Sequence, residues 1–154
     1  MDYVTRLLNF GILVAFGDAQ TGRPCHVIPK SYAKTVIVPT APKPAGPYSH
    51  AVVANGFVFV AGQGPLVPET GVVPDNFKEQ VRQTLKNIQT ILQGVGCNLQ
   101  DVVKVNAYLT DPTRFSDFNE VYREFFGENP PVRTTVQTGL IKILVEIDCI
   151  AVLP

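Results

Sequence analysis

Apolar residues alternate along several short segments of this chain, which predicts β-strands. The β-branched run TVIVPT, which begins at Thr35, and the segment HAVVANGFVFVAG indicate three strands. Within the second segment, Asn55 and Gly56 are a strong signal for a two-residue hairpin turn. Val102–Leu109 and two runs that follow Pro130 have the same strand character. The pattern therefore predicts six strands.

Apolar residues that recur at three- and four-residue steps predict two helices. The first helix follows Asp75, which we expect to be its N-cap, and ends near Gly94. The second begins at Asp111 and Pro112, carries an aromatic face, and ends near Gly127. The resulting order, β-β-β-α-β-α-β-β, predicts an α+β fold with both helices on one face of a sheet.

The last predicted strand has one wholly apolar face and one mixed face. Its apolar positions are Val145, Ile147, Cys149 and Ala151, which alternate with Leu144, Glu146, Asp148 and Ile150. Helices cover only one face of the predicted sheet, so the mixed face needs another partner. We expect symmetric self-association through this open face.

Residues 1–34 do not share this regularity and are expected to be an N-terminal extension, whereas residues 35–154 form one domain. The apolar run at residues 7–16 is about half as long as a membrane-spanning helix. Three interpretations stay open for the extension: a poorly ordered segment, a helix that docks on the surface, and an export signal. Arg6 favours the export signal, and Asp2 and Asp18 weaken it.

The composition narrows the classes of function. Thirteen Lys and Arg residues balance thirteen Asp and Glu residues, so the chain lacks the basic excess typical of nucleic-acid binding or polybasic membrane contact. The three cysteines are far apart and lack CxxC spacing, which favours free thiols in a reducing compartment. His26 and His50 have no companions at ligand spacing. We therefore expect a cytoplasmic protein without a metal site or a nucleic-acid partner.

Two charged residues stand out in the C-terminal strands, Arg133 in PPVRTTV and Glu146 in LVEIDCIA. A charge among apolar strand residues costs stability unless it meets a partner or a ligand. An arginine can donate two parallel hydrogen bonds to a carboxylate, and a glutamate can hold or deprotonate a water molecule. The pair suggests a small substrate with a carboxylate. The alternative is that Arg133 and Glu146 pair with each other or with solvent at the strand ends.

Several motifs together resemble the Rid family, the reactive intermediate deaminases, which are also called YjgF-like proteins. They are GPYSHA at 46–51, VAGQGPLVPETG at 60–71, EQVRQTLKNIQTIL in the first helix, PPVRTTV and LVEIDCIA. The resemblance covers residues 35–152. It implies a chorismate-mutase-like fold with a mixed sheet, and a homotrimer with pockets at the subunit interfaces. It also implies a hydrolase that converts 2-imino acids such as 2-iminobutanoate and 2-iminopropanoate, and their enamine tautomers, to 2-oxo acids and ammonia without a cofactor.

The resemblance also assigns roles to individual residues. Arg133 matches the arginine that binds the substrate carboxylate, Glu146 matches the glutamate that positions water, and Tyr48 matches a tyrosine of the pocket wall. Gly62 supplies backbone contacts, and Asn119 lies nearby. For Tyr48 and Asn119, the alternative is a purely structural role in a loop and in a helix.

Thr135 completes the candidate set, and two departures from the family pattern bear on the site. Thr135 is two residues beyond Arg133, on the same strand face, and is expected to contact substrate.

Ala61 stands where the family usually has serine, so one hydroxyl is missing. The stretch between Arg133 and Glu146 is about two residues shorter than usual, with LIKI in place of LPKGA. This shorter connection is expected to alter the rim of the pocket.

A second interpretation of function stays open. Folds do not fix function, and relatives of this family have been linked to RNA cleavage and to inhibition of translation. The chain would then be a catalytically weak regulatory or RNA-acting member. The presence of both Arg133 and Glu146 favours the enzyme, and the neutral net charge disfavours a phosphate-binding groove.

Overall fold

The computed structural model describes residues 33–154 and, before them, only the backbone of two short strands. These are β1 (Phe16–Gly17) and β2 (Pro24–Cys25), which pair antiparallel with Phe16 opposite Cys25. Expectations for the apolar run at residues 7–16 and for His26 fall outside the described residues. Ala33–Pro154 forms one compact unit.

Six strands of this unit form one mixed sheet. They are β3 (Lys34–Val36), β4 (Ala51–Ala54), β5 (Phe57–Gln63), β6 (Val102–Leu109), β7 (Val132–Gln137) and β8 (Val145–Val152). Their spatial order is β3-β4-β5-β8-β6-β7, and every neighbouring pair is antiparallel except β6 and β7, which are parallel. The final strand therefore enters the middle of the sheet, between β5 and β6. With two helices beside this sheet, the predicted α+β architecture is confirmed.

The hairpin between β4 and β5 forms at the predicted turn. Asn55 and Gly56 have φ values of 51° and 77°, as a two-residue turn with both central residues in the left-handed region requires. The preceding strand β3 is shorter than its β-branched run, because pairing with β4 stops at Val36. Beyond it, the Val38 N–H donates to the His50 side chain instead of a neighbouring strand.

The two helices are α1 (Phe77–Gly94) and α2 (Phe115–Phe126). The predicted N-cap of α1 was wrong by one residue: Asn76 caps it by accepting from the Glu79 N–H, and Asp75 does not. Asp111 caps as predicted, but the element it starts is a 3-10 turn, Pro112–Arg114, which leads into α2. Neither helix in the described part of the chain has the length and apolar character needed to cross a bilayer.

The core lies between the helices and one face of the sheet. On α1, all five predicted apolar positions are buried, namely Phe77, Val81, Leu85, Ile88 and Leu92. On β8, the predicted apolar face is buried throughout. The aromatic face of α2 is only partly buried. Phe118, Val121 and Tyr122 are buried, whereas Phe115 is 46% exposed. On the opposite face of the sheet, Phe57 and Phe59 are each more than 40% exposed.

Candidate functional site

Arg133 lies on the edge strand β7, and aromatic rings of α2 hold its side chain. The guanidinium carbon is 4.5 Å from the Tyr122 ring centroid and 4.9 Å from that of Phe118. Nη2 donates to Oδ1 of Asn119 at 2.7 Å. Burial lowers the pKa of Arg133 from its ordinary value, but an arginine remains protonated in proteins. The result is a positioned cation, stacked on one side and tied to α2 at one nitrogen.

The structure thus brings Asn119 to Arg133 as the family resemblance implies, and it places Thr135 on the same side. Arg133 and Asn119 line one pocket of about 360 Å³ together with Pro130 and Pro131. Thr135 lines a smaller pocket beside it, of about 120 Å³. The Thr135 hydroxyl is buried without a hydrogen-bond partner among the described residues. A buried hydroxyl of this kind favours a ligand or a second chain as its partner.

Glu146 lies in a different cavity, which has a volume of about 590 Å³. Gly62, at the end of β5, and Tyr48, in the proline-rich loop before β4, line the same cavity. A side chain at position 62 would collide with the Glu146 carboxylate, because a Cβ built there lies only 3.1 Å from Cδ of Glu146. Glycine is therefore needed at this position for the carboxylate to occupy its place.

Gly62 also falls at an irregularity in β5. The register between β5 and β8 shifts between Val60 and Gln63, and Gln63 Nε2 donates to the Gly62 carbonyl at 3.1 Å. A bulge redirects the backbone of a strand beside a site. Gly62 lies within this irregularity and lines the cavity, and the buried Gln63 side chain donates to the carbonyls of both Ala61 and Gly62.

His50 anchors the loop that carries Tyr48. It is 1% exposed, its Nδ1 accepts from the Val38 N–H at 2.9 Å, and its Nε2 donates to the Pro42 carbonyl at 2.8 Å. These two bonds specify a neutral ring with the proton on Nε2. Tyr48 itself is 46% exposed, and its hydroxyl accepts from the Ala45 N–H. Sequence reasoning considered His50 only as a metal ligand and missed this positioning role.

Arg133 and Glu146 lie on opposite faces of the sheet. Arg133 is opposite Val105, whose side chain is fully buried on the helix side. Glu146 is flanked by Val145 and Ile147, which are also fully buried, so its own side chain projects to the other face. Strand β6 separates their two strands, and no ion pair joins them within residues 33–154. The alternative that these two residues pair with each other within one chain was wrong.

A hydrogen-bonded network around Asp148 lies beside Glu146 on the open face. Tyr108, the register partner of Glu146 on β6, donates to Oδ2 of Asp148 at 3.0 Å. Asn106 Nδ2 donates to Oδ1 of the same carboxylate at 2.8 Å. The hydrogen bond to Asp148 is the main cause that raises the pKa of Tyr108. This network was not anticipated from the sequence, because its members come from two strands that lie far apart in the chain.

The short connection before β8, residues 139–143, forms one wall of the Glu146 cavity and is called the rim loop here. All five of its residues line the cavity. Lys142 adopts a φ of 61° within it, and Ile143 reaches across to Gly64. The place where the sequence departs from the family pattern is thus a wall of the Glu146 cavity.

The described residues contain no cluster of three or more His, Cys, Asp or Glu side chains able to hold a metal ion. Cys97 and Cys149 are buried and have free thiols. The candidate chemistry of residues 33–154 therefore rests on Arg133, Glu146 and the polar groups around them.

Residues 33–154 thus form an α+β fold with a cavity beside Glu146 on one face of the sheet and a pocket beside Arg133 on the other. A family model described as Endoribonuclease L-PSP matches residues 38–153, and the chain belongs to this YjgF/RidA family, as its motifs predicted. A RutC family protein of Pyrococcus horikoshii is 46% identical over 121 residues, which are 77% of this chain and 96% of that protein.

Solved structures agree with this assignment. RidA from an Antarctic Psychrobacter has a TM-score of 0.75 at 38% identity, and the match covers 78% of this chain and 99% of that one. TdcF of Escherichia coli, solved with bound serine, has a TM-score of 0.74 at 34% identity, with 79% and 99% covered.

Proposed function

We propose that this protein is a hydrolase that deaminates reactive 2-imino acids, and their enamine tautomers, to 2-oxo acids and ammonia. One observation carries the proposal: Arg133 is fixed by aromatic rings and a hydrogen bond, and Glu146 lines a separate cavity on the opposite face of the sheet. A fixed cation suits a carboxylate, and a carboxylate beside a cavity suits a water molecule. A site that needs both must be completed by a second copy of the chain.

The assembly that would complete it is a symmetric homotrimer. The open face of the sheet exposes Phe57 and Phe59, and the edge strand β7 exposes Val132 (68%) and Val136 (43%). Surface of this kind is covered in stable proteins, and closed rotational symmetry repeats one contact around the ring. Each interface would then bring Arg133 of one copy beside the Glu146 cavity of the next, which gives three equivalent sites.

In this site, the protein mainly positions the reactants. Arg133 binds the substrate carboxylate, with Asn119 fixing its orientation and Thr135 beside it. Glu146 takes a proton from a water molecule whose oxygen adds to the imine carbon, and it returns this proton to the imine nitrogen to give a carbinolamine. Transfer of the carbinolamine hydroxyl proton to that nitrogen breaks the C–N bond, which releases ammonia and leaves the 2-oxo acid. The imine carbon is already electrophilic, so orientation of one water supplies most of the rate gain and the reaction requires no cofactor.

Tyr48 and Gly62 complete the proposed wall around the reacting carbon. Gly62 offers its main chain at close range because it has no side chain, and Tyr48 closes the cavity from the proline-rich loop. The relatives support a substrate that carries a carboxylate: one of them is RidA, and another, TdcF, was solved with bound serine, a small molecule that carries a carboxylate. We place the reaction in the cytoplasm, where the free thiols of Cys97 and Cys149 remain reduced.

The experiment that tests the function uses an amino-acid oxidase to generate the imine in the presence of the purified protein. We expect ammonia release to accelerate above the spontaneous rate in water, and we expect Glu146→Gln to abolish most of that gain. Light scattering should give a trimer mass at micromolar concentration. A monomer, or ammonia release equal to the spontaneous rate, would contradict the proposal.

The family description also names an endoribonuclease, so a single-stranded RNA substrate belongs in the same experiment. The neutral net charge disfavours that activity, because binding to phosphates depends on a basic groove. RNA cleavage that survives Glu146→Gln, without imine hydrolysis, would favour a regulatory or RNA-acting role instead.

A further inference from the structure

The Glu146 cavity has an apolar wall made by two loops that face each other. One wall is the rim loop, which contributes the aliphatic side chains of Leu140, Ile141 and Ile143. The other wall belongs to residues 64–73 and includes Leu66 and Val73. Ile143 reaches the opposite wall at Gly64. If residue 64 had a side chain, its Cβ would lie only 3.0 Å from Cδ1 of Ile143. The cavity that Glu146 lines thus has aliphatic side chains on two of its walls.

Both walls are tied to α1 by buried amide side chains. Asn87, which is 1% exposed, donates from Nδ2 to the carbonyls of Gly64 and Leu66, each at 2.9 Å. Gln80, which is 4% exposed, accepts from the Leu144 N–H at 2.8 Å, directly after the rim loop. Buried hydrogen bonds to the backbone fix the loops at a set separation. The apolar space between them is therefore formed before any ligand enters.

The size of this space exceeds what the smallest 2-imino acids need. A volume of about 590 Å³ falls within the range of roughly 300–1,000 Å³ typical of pockets that enclose drug-sized ligands. A methyl or ethyl side chain would leave much of the wall in contact with water. A branched aliphatic or aromatic side chain would cover it, and covering apolar surface is favourable.

We infer that this cavity takes the side chain of bulky apolar 2-imino acids, those formed from leucine, isoleucine or phenylalanine, in preference to those formed from alanine or glutamate. The inference rests on the proposed imine hydrolysis and deepens it. Ile141 and Ile143 are the residues that determine this specificity. Lys43 and Lys142 also line the cavity, but both are exposed, so solvent and salt screen their attraction for an acidic side chain.

The test compares catalytic efficiency on imines generated in place from leucine, phenylalanine, alanine and glutamate. We expect the leucine-derived imine to be preferred over the alanine-derived imine by roughly tenfold or more, since one methylene in an apolar pocket changes efficiency by about 10- to 200-fold. The double variant Ile141→Ser with Ile143→Ser should bring this ratio close to one, because efficiency on the leucine-derived imine should fall more than efficiency on the alanine-derived imine when the aliphatic wall is removed.

Two further variants keep the test decisive. Val72→Ser is the matched control, because Val72 is a 59% exposed aliphatic residue of the opposite loop that does not line the cavity, and it should keep the wild-type ratio. If the double variant fails to fold, Ile141→Ser alone answers the question, since Ile141 is 88% exposed and its loss leaves the core intact. Ile141→Ser alone should lower the ratio of efficiencies on the leucine-derived and alanine-derived imines to a value between that of the wild type and one.

Binding of the product 2-oxo acids, measured by calorimetry, separates failure of this inference from failure of the proposed function. Equal efficiencies together with equal binding of 4-methyl-2-oxopentanoate and pyruvate would overturn the inference and leave the deaminase intact. Tighter binding of 4-methyl-2-oxopentanoate without any imine hydrolysis would overturn the function and support the cavity assignment. A preference for the glutamate-derived imine would show that the lysines, not the isoleucines, select the substrate.

Discussion

Arg133 and Glu146 project from opposite faces of one sheet, with strand β6 between their strands. The register places their Cα atoms about 14 Å apart, from two interstrand spacings and three residues of strand rise. A three-carbon substrate cannot span that separation and pass through the sheet. The two residues act together only if they come from different copies of the chain.

Mixing two inactive variants should therefore restore activity. In a trimer that contains both Arg133→Ala and Glu146→Gln subunits, one of the three interfaces joins an intact arginine to an intact glutamate. Random reassembly of equal amounts should recover about a quarter of wild-type imine hydrolysis, since about three quarters of the trimers are mixed. The measurement is activity after the two purified variants are unfolded together and refolded.

Each variant refolded alone is the control and should stay inactive. A mixture that also stays inactive, while mass spectrometry of the assembly shows mixed trimers, would place both residues in a site within one subunit.

Replacement of Arg133 by alanine should remove most activity. Loss of two charge-assisted hydrogen bonds to the substrate carboxylate, at roughly 1.5–3 kcal/mol each, predicts a drop in kcat/KM on the order of 10²- to 10⁴-fold. Arg133→Lys should recover little, because one ammonium cannot reproduce the planar pair of donors. Arg114→Ala, at an exposed arginine directly before α2, is the matched control and should keep wild-type kcat/KM.

Arg133 also contributes to stability through its contacts in the free chain. Its guanidinium lies over Tyr122 and Phe118 and donates to Asn119. We expect Arg133→Ala to lower the free energy of unfolding by roughly 1–3 kcal/mol, measured in urea. An unchanged value would mean that these contacts position the guanidinium without stabilising the fold.

Gly62→Ala should impair catalysis through Glu146 rather than through folding. The added methyl group would meet the end of the flexible Glu146 side chain, which can move aside at little cost to stability. We expect kcat to fall by roughly tenfold or more as the carboxylate leaves its place. In a Glu146→Gln background, the same change should have little further effect, because coupled residues are not additive. Equal losses in both backgrounds would show that Gly62 acts independently.

His50→Leu should destabilise the fold and loosen the loop of Tyr48. It leaves the Val38 N–H and the Pro42 carbonyl without their partner, at a cost of about 1–3 kcal/mol for each group that stays buried. Urea unfolding measures this loss. Tyr48→Phe, which removes one exposed hydrogen bond to Ala45, should cost less than about 1 kcal/mol and serves for comparison.

The stability of the protein should fall at alkaline pH because of Cys149. Burial raises the pKa of this thiol from 9.0 to about 12. The folded pKa is the higher one, so the stabilisation is fully present below pH 9 and is lost as pH rises toward 12. Between these values, the unfolded chain has released a proton that the folded chain keeps, and the free energy of unfolding falls by about 1.4 kcal/mol per pH unit.

Urea unfolding at about pH 8.5 and about pH 10, on either side of the ordinary thiol pKa, checks this slope. Cys149→Ala should make the fall in the free energy of unfolding with pH less steep, because one titrating thiol is removed. Cys97, whose thiol pKa is also raised by burial, continues to contribute to the remaining slope. A slope that is identical in the wild type and in Cys149→Ala would show that Cys149 is not the titrating group.

Much of the fold could be predicted because local patterns decide it. The Asn55-Gly56 turn formed as expected, since a two-residue hairpin needs two residues that tolerate positive φ, and that preference belongs to the residues themselves. The N-cap of α1 was misplaced because Asp75 and Asn76 are both good caps, and the choice depends on which side chain faces the Glu79 N–H. The motifs around Arg133 and Glu146 identified the family for the same reason, as they are contiguous in the chain.

The sequence by itself determined the alternation of β8, the apolar stripe of α1 and the choice of Arg133 and Glu146 as candidate site residues. Only the tertiary structure decided that β8 inserts between β5 and β6, which sets Arg133 and Glu146 on opposite faces. It also decided that His50 holds the Tyr48 loop and that the rim loop closes the Glu146 cavity. The physical reason is that strand order and side-chain contact across a sheet join residues far apart in the chain, and no local periodicity records which strands become neighbours.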